Sequence, residues 1–166
     1  NKLEQVAFAD LATSLASLEE LNLAYNSIAV VPDDYSDFGA ASLRVLNLFA
    51  NKLERVPAAL VCCLPNLQEL NLGNNKITGL AANSTSDPRQ LRASLLKRLA
   101  LQHNAVNSVS LDALRGLHQL TALDLSVDSM RLIGPDLFAD LTGLETLTVN
   151  FFDEHKFDLL LNAPLM

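Results

Sequence analysis

Residues able to do covalent or acid–base chemistry are sparse in this chain, and they do not converge. The three histidines, His103, His118 and His155, fall at unrelated points of the sequence. No serine or cysteine stands at a spacing that would pair it with one of them as nucleophile and base. The two cysteines, Cys62 and Cys63, are adjacent. Neighbouring cysteines rarely bridge each other, because the ring is strained, and these lack the spacing of a zinc site. They read as small buried apolar side chains. Asp33-Asp34-Tyr35-Ser36-Asp37 and Asp153-Glu154-His155-Lys156 offer oxygen ligands but read as solvated acidic loops rather than calcium sites. The sequence has no phosphate loop, no G-x-G-x-x-G, no G-x-S-x-G and no H-E-x-x-H. The chain is therefore expected to work by binding: no enzyme, no metal, no cofactor. One covalent feature is expected. Asn83-Ser84-Thr85 fits the acceptor rule for N-glycosylation and sits in a polar, turn-forming stretch.

What must position any binding residues is a repeat. The pattern L-x-x-L-x-L-x-x-N-x-L appears as Leu18-Leu21-Leu23-Asn26-Ile28 and Leu43-Leu46-Leu48-Asn51-Leu53. It continues as Leu67-Leu70-Leu72-Asn75-Ile77 and Leu96-Leu99-Leu101-Asn104-Val106. Two weaker copies follow, Leu120-Leu123-Leu125-Asp128-Met130 and Leu144-Leu147-Val149-Phe152. The first leucines are 25, 24, 29, 24 and 24 residues apart. Chance does not hold leucine in such a register across six copies.

Each L-x-L core predicts a short strand whose alternate side chains point inward. Successive strands stack in parallel, because one repeat alone cannot bury its leucines. Asn26, Asn51, Asn75 and Asn104 fall where the chain leaves the strand. A carboxamide there can donate to and accept from backbone groups inside the turn. Val31-Pro32, Val56-Pro57, Asp112–Leu117 and Pro135–Leu141 supply the return segments, expected as loops, 3-10 turns or short helices. The fold class is thus an α/β solenoid: a horseshoe with a parallel sheet lining its concave side and an irregular convex side. The repeat from Leu67 is five residues longer than its neighbours, with the excess in Ala82–Gln90.

The non-leucine strand positions face outward and align into columns. The columns read Glu20, Val45, Glu69, Arg98, Ala122, Thr146; then Asn22, Asn47, Asn71, Ala100, Asp124, Thr148; then Ala24, Phe49, Gly73, Gln102, Ser126, Asn150. A flanking column holds Tyr25, Ala50, Asn74, His103, Val127 and Phe151. The result is a polar, uncharged strip with aromatic edges, suited to protein or glycan recognition. Asn22, Tyr25, Asn47, Phe49, Asn71, Arg98, Gln102, His103 and Phe151 are its candidate ligand-binding residues.

Bulk properties fit a packed, acidic binding domain. Of 166 residues, 49% are hydrophobic, which excludes disorder. The net charge is -7, and Lys97, Arg98 and His103 form too small a basic spot for a nucleic-acid groove. No apolar run approaches the roughly 18 residues of a membrane span. Asn1–Val6 carries no signal segment and reads like Asn51–Val56, so the chain is expected to begin within a repeat. It stops at Asn162-Ala163-Pro164-Leu165-Met166, partway through another. Neither end shows the polar cap a solenoid needs. Residues 1–166 are therefore expected to be one array of about six repeats cut from a longer one.

Across essentially the whole chain the repeats resemble the typical class of extracellular leucine-rich repeats. Leu123-Asp124-Leu125-Ser126, with Met130, Ile133, Pro135 and Phe138, is similar to a unit in the middle of Toll-like receptor ectodomains. Decay of the asparagine column to Asp128 and Phe152 is similar to central repeats of that family. The resemblance implies an innate-immune pattern-recognition receptor, extracellular, that dimerises over a microbial ligand. The residues alone leave a second reading open: an intracellular leucine-rich scaffold that binds proteins. Under either reading Leu70→Ala or Leu99→Ala should destabilise the array by about 2–5 kcal/mol. Urea unfolding checks this; a loss below about 0.5 kcal/mol would mean these leucines do not point inward.

Overall fold

The computed structural model describes residues 2–6, 16–31, 42–57, 60, 64–80, 95–110, 113–125 and 135–149. Each L-x-L core forms the short strand its alternation predicts. These are β1 (Glu20–Asn22), β2 (Val45–Asn47), β3 (Glu69–Asn71), β5 (Arg98–Ala100), β7 (Ala122–Asp124) and β8 (Thr146–Thr148). They form one six-stranded sheet in the order β1-β2-β3-β5-β7-β8. Every pairing is parallel and keeps equivalent positions together: Leu21 faces Leu46, Leu46 faces Leu70, Leu70 faces Leu99, and Leu99 faces Leu123.

The leucines turn inward as their spacing requires. Leu46, Leu48, Leu70, Leu72, Leu101, Leu120 and Leu123 are buried in one continuous cluster. Each such side chain removed from water stabilises the fold by about 1.5–3 kcal/mol. Leu21 in β1 and Leu147 in β8 are only partly buried, since each rung there packs on a described strand at one side alone.

A second parallel ladder runs along the opposite side of the coil. The strands β4 (Gly79–Leu80) and β6 (Ser108–Val109) pair in register, and an isolated bridge joins Gln5 to Val30. Val6, Val31 and Leu80 are buried beneath this ladder. Sequence reasoning expected loops, 3-10 turns or short helices in the return segments and no second ladder. The two-residue strands are too short to show alternation, so their signal was limited to the recurring aliphatic residue three positions after Ile28, Ile77 and Val106. The return before β8 is a 3-10 turn at Pro135–Phe138, as expected.

The longer repeat does not disturb the sheet. Leu80 keeps its regular distance from Ile77, and Glu69 still pairs with Arg98 across the 29-residue step. The extra residues therefore fall between Leu80 and Leu96 in the sequence; Asn83 and the rest of 81–94 lie outside the described residues.

The rungs are tied by a column of carboxamides. Asn75 Nδ2 donates to Leu72 O of its own rung and to Leu48 O of the preceding one, both at 3.0 Å. Its Oδ1 accepts from Leu53 N at 3.0 Å. Asn51 repeats this with Leu48 O, Leu23 O and Ile28 N, each at 3.0 Å. Asn104 does so with Leu101 O and Leu72 O at 2.9 Å and with Ile77 N at 3.0 Å. The sequence placed these bonds inside the turn; they also cross from rung to rung. Asn26 is a weaker copy, half-buried, accepting from Leu3 N at 3.3 Å. Replacing Asn75 with Ala leaves the Leu53 N–H unpaired, at about 1–3 kcal/mol, while Leu48 O and Leu72 O each keep one donor, from Asn51 and Asn104. We expect Asn75→Ala to cost about 1–3 kcal/mol in urea unfolding, and Asn26→Ala clearly less. Equal costs at the two positions would refute the bridging role.

Candidate ligand-binding face

The outward side of the main sheet is built by position, not by any one rung. Alternation that buries Leu46 and Leu70 turns their strand neighbours to the open side. There Asn22, Asn47 and Asn71 stand in register on three adjacent strands. Neighbouring parallel strands are about 4.8 Å apart, so the carboxamides form a row at that interval. Each ends its strand in the same way. The Oδ1 of Asn22 accepts from Ala24 N, that of Asn47 from Phe49 N, and that of Asn71 from Gly73 N, all at 3.0 Å. This local pattern is an Asx turn, the bond asparagine makes to the backbone two residues on. It leaves the Nδ2 groups of the three with no partner among the described residues.

Beyond each of the first four strands one residue adopts the left-handed conformation: Tyr25 (φ 59°), Ala50 (φ 55°), Asn74 (φ 53°) and His103 (φ 57°). It immediately precedes the ladder asparagine, and the sharp turn it makes sends that asparagine inward. For Ala50 the conformation costs about 1–2 kcal/mol, which the ladder overcomes. Tyr25 is 68% exposed, and its ring meets Phe49 edge-on, centroids 5.5 Å apart at 69°. Phe49 is half-buried rather than open, because Tyr25 covers it.

In the next column Gly73 lies between Phe49 and Gln102. The Gln102 amide crosses over Gly73 so closely that a Cβ there would meet it at 2.6–2.8 Å. The Oε1 of Gln102 is shut off from solvent and has no hydrogen-bond partner among the described residues. Together Asn22, Asn47, Asn71, Tyr25, Phe49 and Gln102 line an open groove of about 520 Å³. None of the described residues that line it is charged.

Six of the nine candidate residues are thus brought to one place. Arg98 stands apart, exposed and paired with Glu69 at 3.8 Å. His103 is exposed on the turn column, outside the groove lining. Phe151 lies outside the described residues. The closeness of Gln102 to Gly73 was not legible in the columns, which give alignment but not the lean of a long side chain. The Asx turns were legible, since asparagine two residues before a backbone N–H at a strand end carries that signal. Among the described residues no group of three or more His, Cys, Asp or Glu stands where it could hold a metal. No helix among them is long and apolar enough to cross a membrane.

Two family models match, one described as "Leucine Rich repeats (2 copies)" over residues 41–84 and one as "Leucine rich repeat" over 94–151. The chain belongs to the leucine-rich repeat proteins. Neither family model describes a catalytic family. Toll-like receptor 3 of Boselaphus tragocamelus is 30% identical over 125 residues, covering 74% of this chain and 14% of the receptor. The crystal structure of a TLR13–ssRNA13 complex matches with a TM-score of 0.70 and 30% identity, over 81% of this chain and 18% of the other. An octameric complex of Latrophilin 3, Unc5D and the leucine-rich repeats of FLRT2 matches at 0.68 and 28%, over 82% of this chain and 40% of the other. The chain spans about a fifth of the length of the curated relatives it matches. It is similar to a segment of a Toll-like receptor ectodomain and equally to leucine-rich proteins outside immunity. Phe49→Ala removes an edge-on aromatic contact and half-covered area, not core, and should cost about 0.5–1.5 kcal/mol. A thermal melt comparing it with Leu70→Ala checks this; equal drops would place Phe49 in the core.

Proposed function

We propose that this leucine-rich array is the ligand-recognition segment of an extracellular pattern-recognition receptor, and that the groove-bearing sheet face is where the ligand docks. One observation carries the reading: an uncharged row of carboxamides flanked by an exposed aromatic pair. Buried structural needs do not explain that face, since the leucines and ladder asparagines meet those from the other side. Aromatic anchors beside adaptable polar groups concentrate binding energy at protein interfaces. Likeness to Toll-like receptor 3 and to the TLR13 complex supports the receptor role. The leucine-rich repeats of FLRT2 stand in a complex with Latrophilin 3 and Unc5D, which supports a binding role for an array of this kind.

Nucleic acid fits poorly despite the RNA in the TLR13 complex. A phosphate backbone needs several cations along its path. The described strands of this face present Glu20, Glu69 and Asp124 against one arginine, Arg98, already paired with Glu69.

The competing reading is an intracellular scaffold, and Asn83 separates the two. Expressed through the secretory route, the chain should carry glycan on Asn83, read as a mass loss on treatment with peptide-N-glycosidase. A folded, secreted chain with unmodified Asn83 counts against the extracellular reading.

A further inference from the structure

We infer that the groove between Tyr25 and Gln102 takes a neutral, hydroxyl-bearing linear saccharide. This rests on the reading above only in taking the sheet face as the binding face. The hydrogen-bonding capacity on offer is mixed. Asn22, Asn47 and Asn71 hold their Oδ1 atoms on backbone N–H groups, so each presents a fixed Nδ2 donor. Gln102 presents the opposite, an Oε1 acceptor out of solvent and unpartnered. A buried acceptor left alone is costly, so a ligand that supplies a donor there gains by it. A carboxylate or phosphate only accepts and would leave Gln102 unsatisfied; an ammonium only donates and would leave the asparagines unsatisfied. A hydroxyl does both from one atom.

Spacing decides between a sugar and a peptide, which also carries donors and acceptors. The groove runs across the strands, from Asn22 and Tyr25 on the first rung to Gln102 on the fourth. Its asparagines on the first three rungs recur at about 4.8 Å, the strand separation. That interval is close to the length of one pyranose ring. An extended peptide advances by only about 3.3 Å per residue and loses register after one step. Four rungs span about 14 Å, room for about three rings. Tyr25, 68% exposed and steadied from the side by Phe49, supplies an apolar ring face for the C–H face of the terminal sugar. The absence of charge on the groove lining selects against acidic glycans.

Calorimetric titration of the whole chain with cellohexaose and with chitohexaose tests the inference. At least one should give saturable binding. Tyr25→Ala and Asn47→Ala should each weaken it about ten-fold, a loss of about 1.4 kcal/mol. Arg115→Ala, on the return segment, should leave it unchanged. Melting curves of both groove variants check that each stays folded. The inference is overturned by no saturable heat with either hexasaccharide, or by groove variants that bind like the parent. It is also overturned if a neutral glycine–serine peptide or a short single-stranded RNA binds more tightly than both sugars. Failure here with glycan present on Asn83 removes only the saccharide. Sugar binding without glycan on Asn83 removes only the receptor reading.

Discussion

Asn51, Asn75 and Asn104 each satisfy one backbone N–H and two backbone carbonyls that no strand bond reaches. The rest of the fold depends on that exchange. A coil must turn sharply after every three-residue strand, and a turn buried against its neighbour exposes polar backbone to an apolar interior. Asparagine is the side chain that offers donor and acceptor on one short, neutral group. With it, the chain can afford buried turns, and the leucines between them can stack without a break. The left-handed residues at Tyr25, Ala50, Asn74 and His103 follow from the same need. They are the local strain that lets each amide point inward.

Much of this was legible in the sequence because it is periodic. Leu70 and Leu99 occupy equivalent places in their repeats and pair directly across β3 and β5. The outward columns aligned as the alternation required, so Asn22, Asn47 and Asn71 met on one face. Periodicity could not show features that depend on side-chain length or on contacts between unequal residues. Gln102 reaching over Gly73 is one such feature, because it depends on a glycine in one rung and a long amide in the next. Phe49 is another: its column position is open, yet Tyr25 of the previous rung shelters it. The ladder of β4 and β6 was hidden for a different reason. Two residues carry no alternation, and only the third-position aliphatics beneath them repeat.

The groove follows from the same economy. Since each rung contacts chiefly its neighbours, a surface shared by four rungs is assembled from single substitutions that scarcely disturb the core. The turn residues and the outward strand positions are free to vary while the leucines are not. Recognition chemistry of one kind can therefore be laid along the sheet, here amides and aromatic rings, with the ion pairs Glu19–Arg44 and Glu69–Arg98 kept to its margin. Such exposed pairs add little to stability.

The ladder groups are primary amides, which neither gain nor lose a proton across the range in which histidines and carboxylates change charge. The asparagine column that ties the rungs therefore does not respond to acidification. A molecule framed this way can pass from neutral surroundings into an acidic vesicle with that column intact.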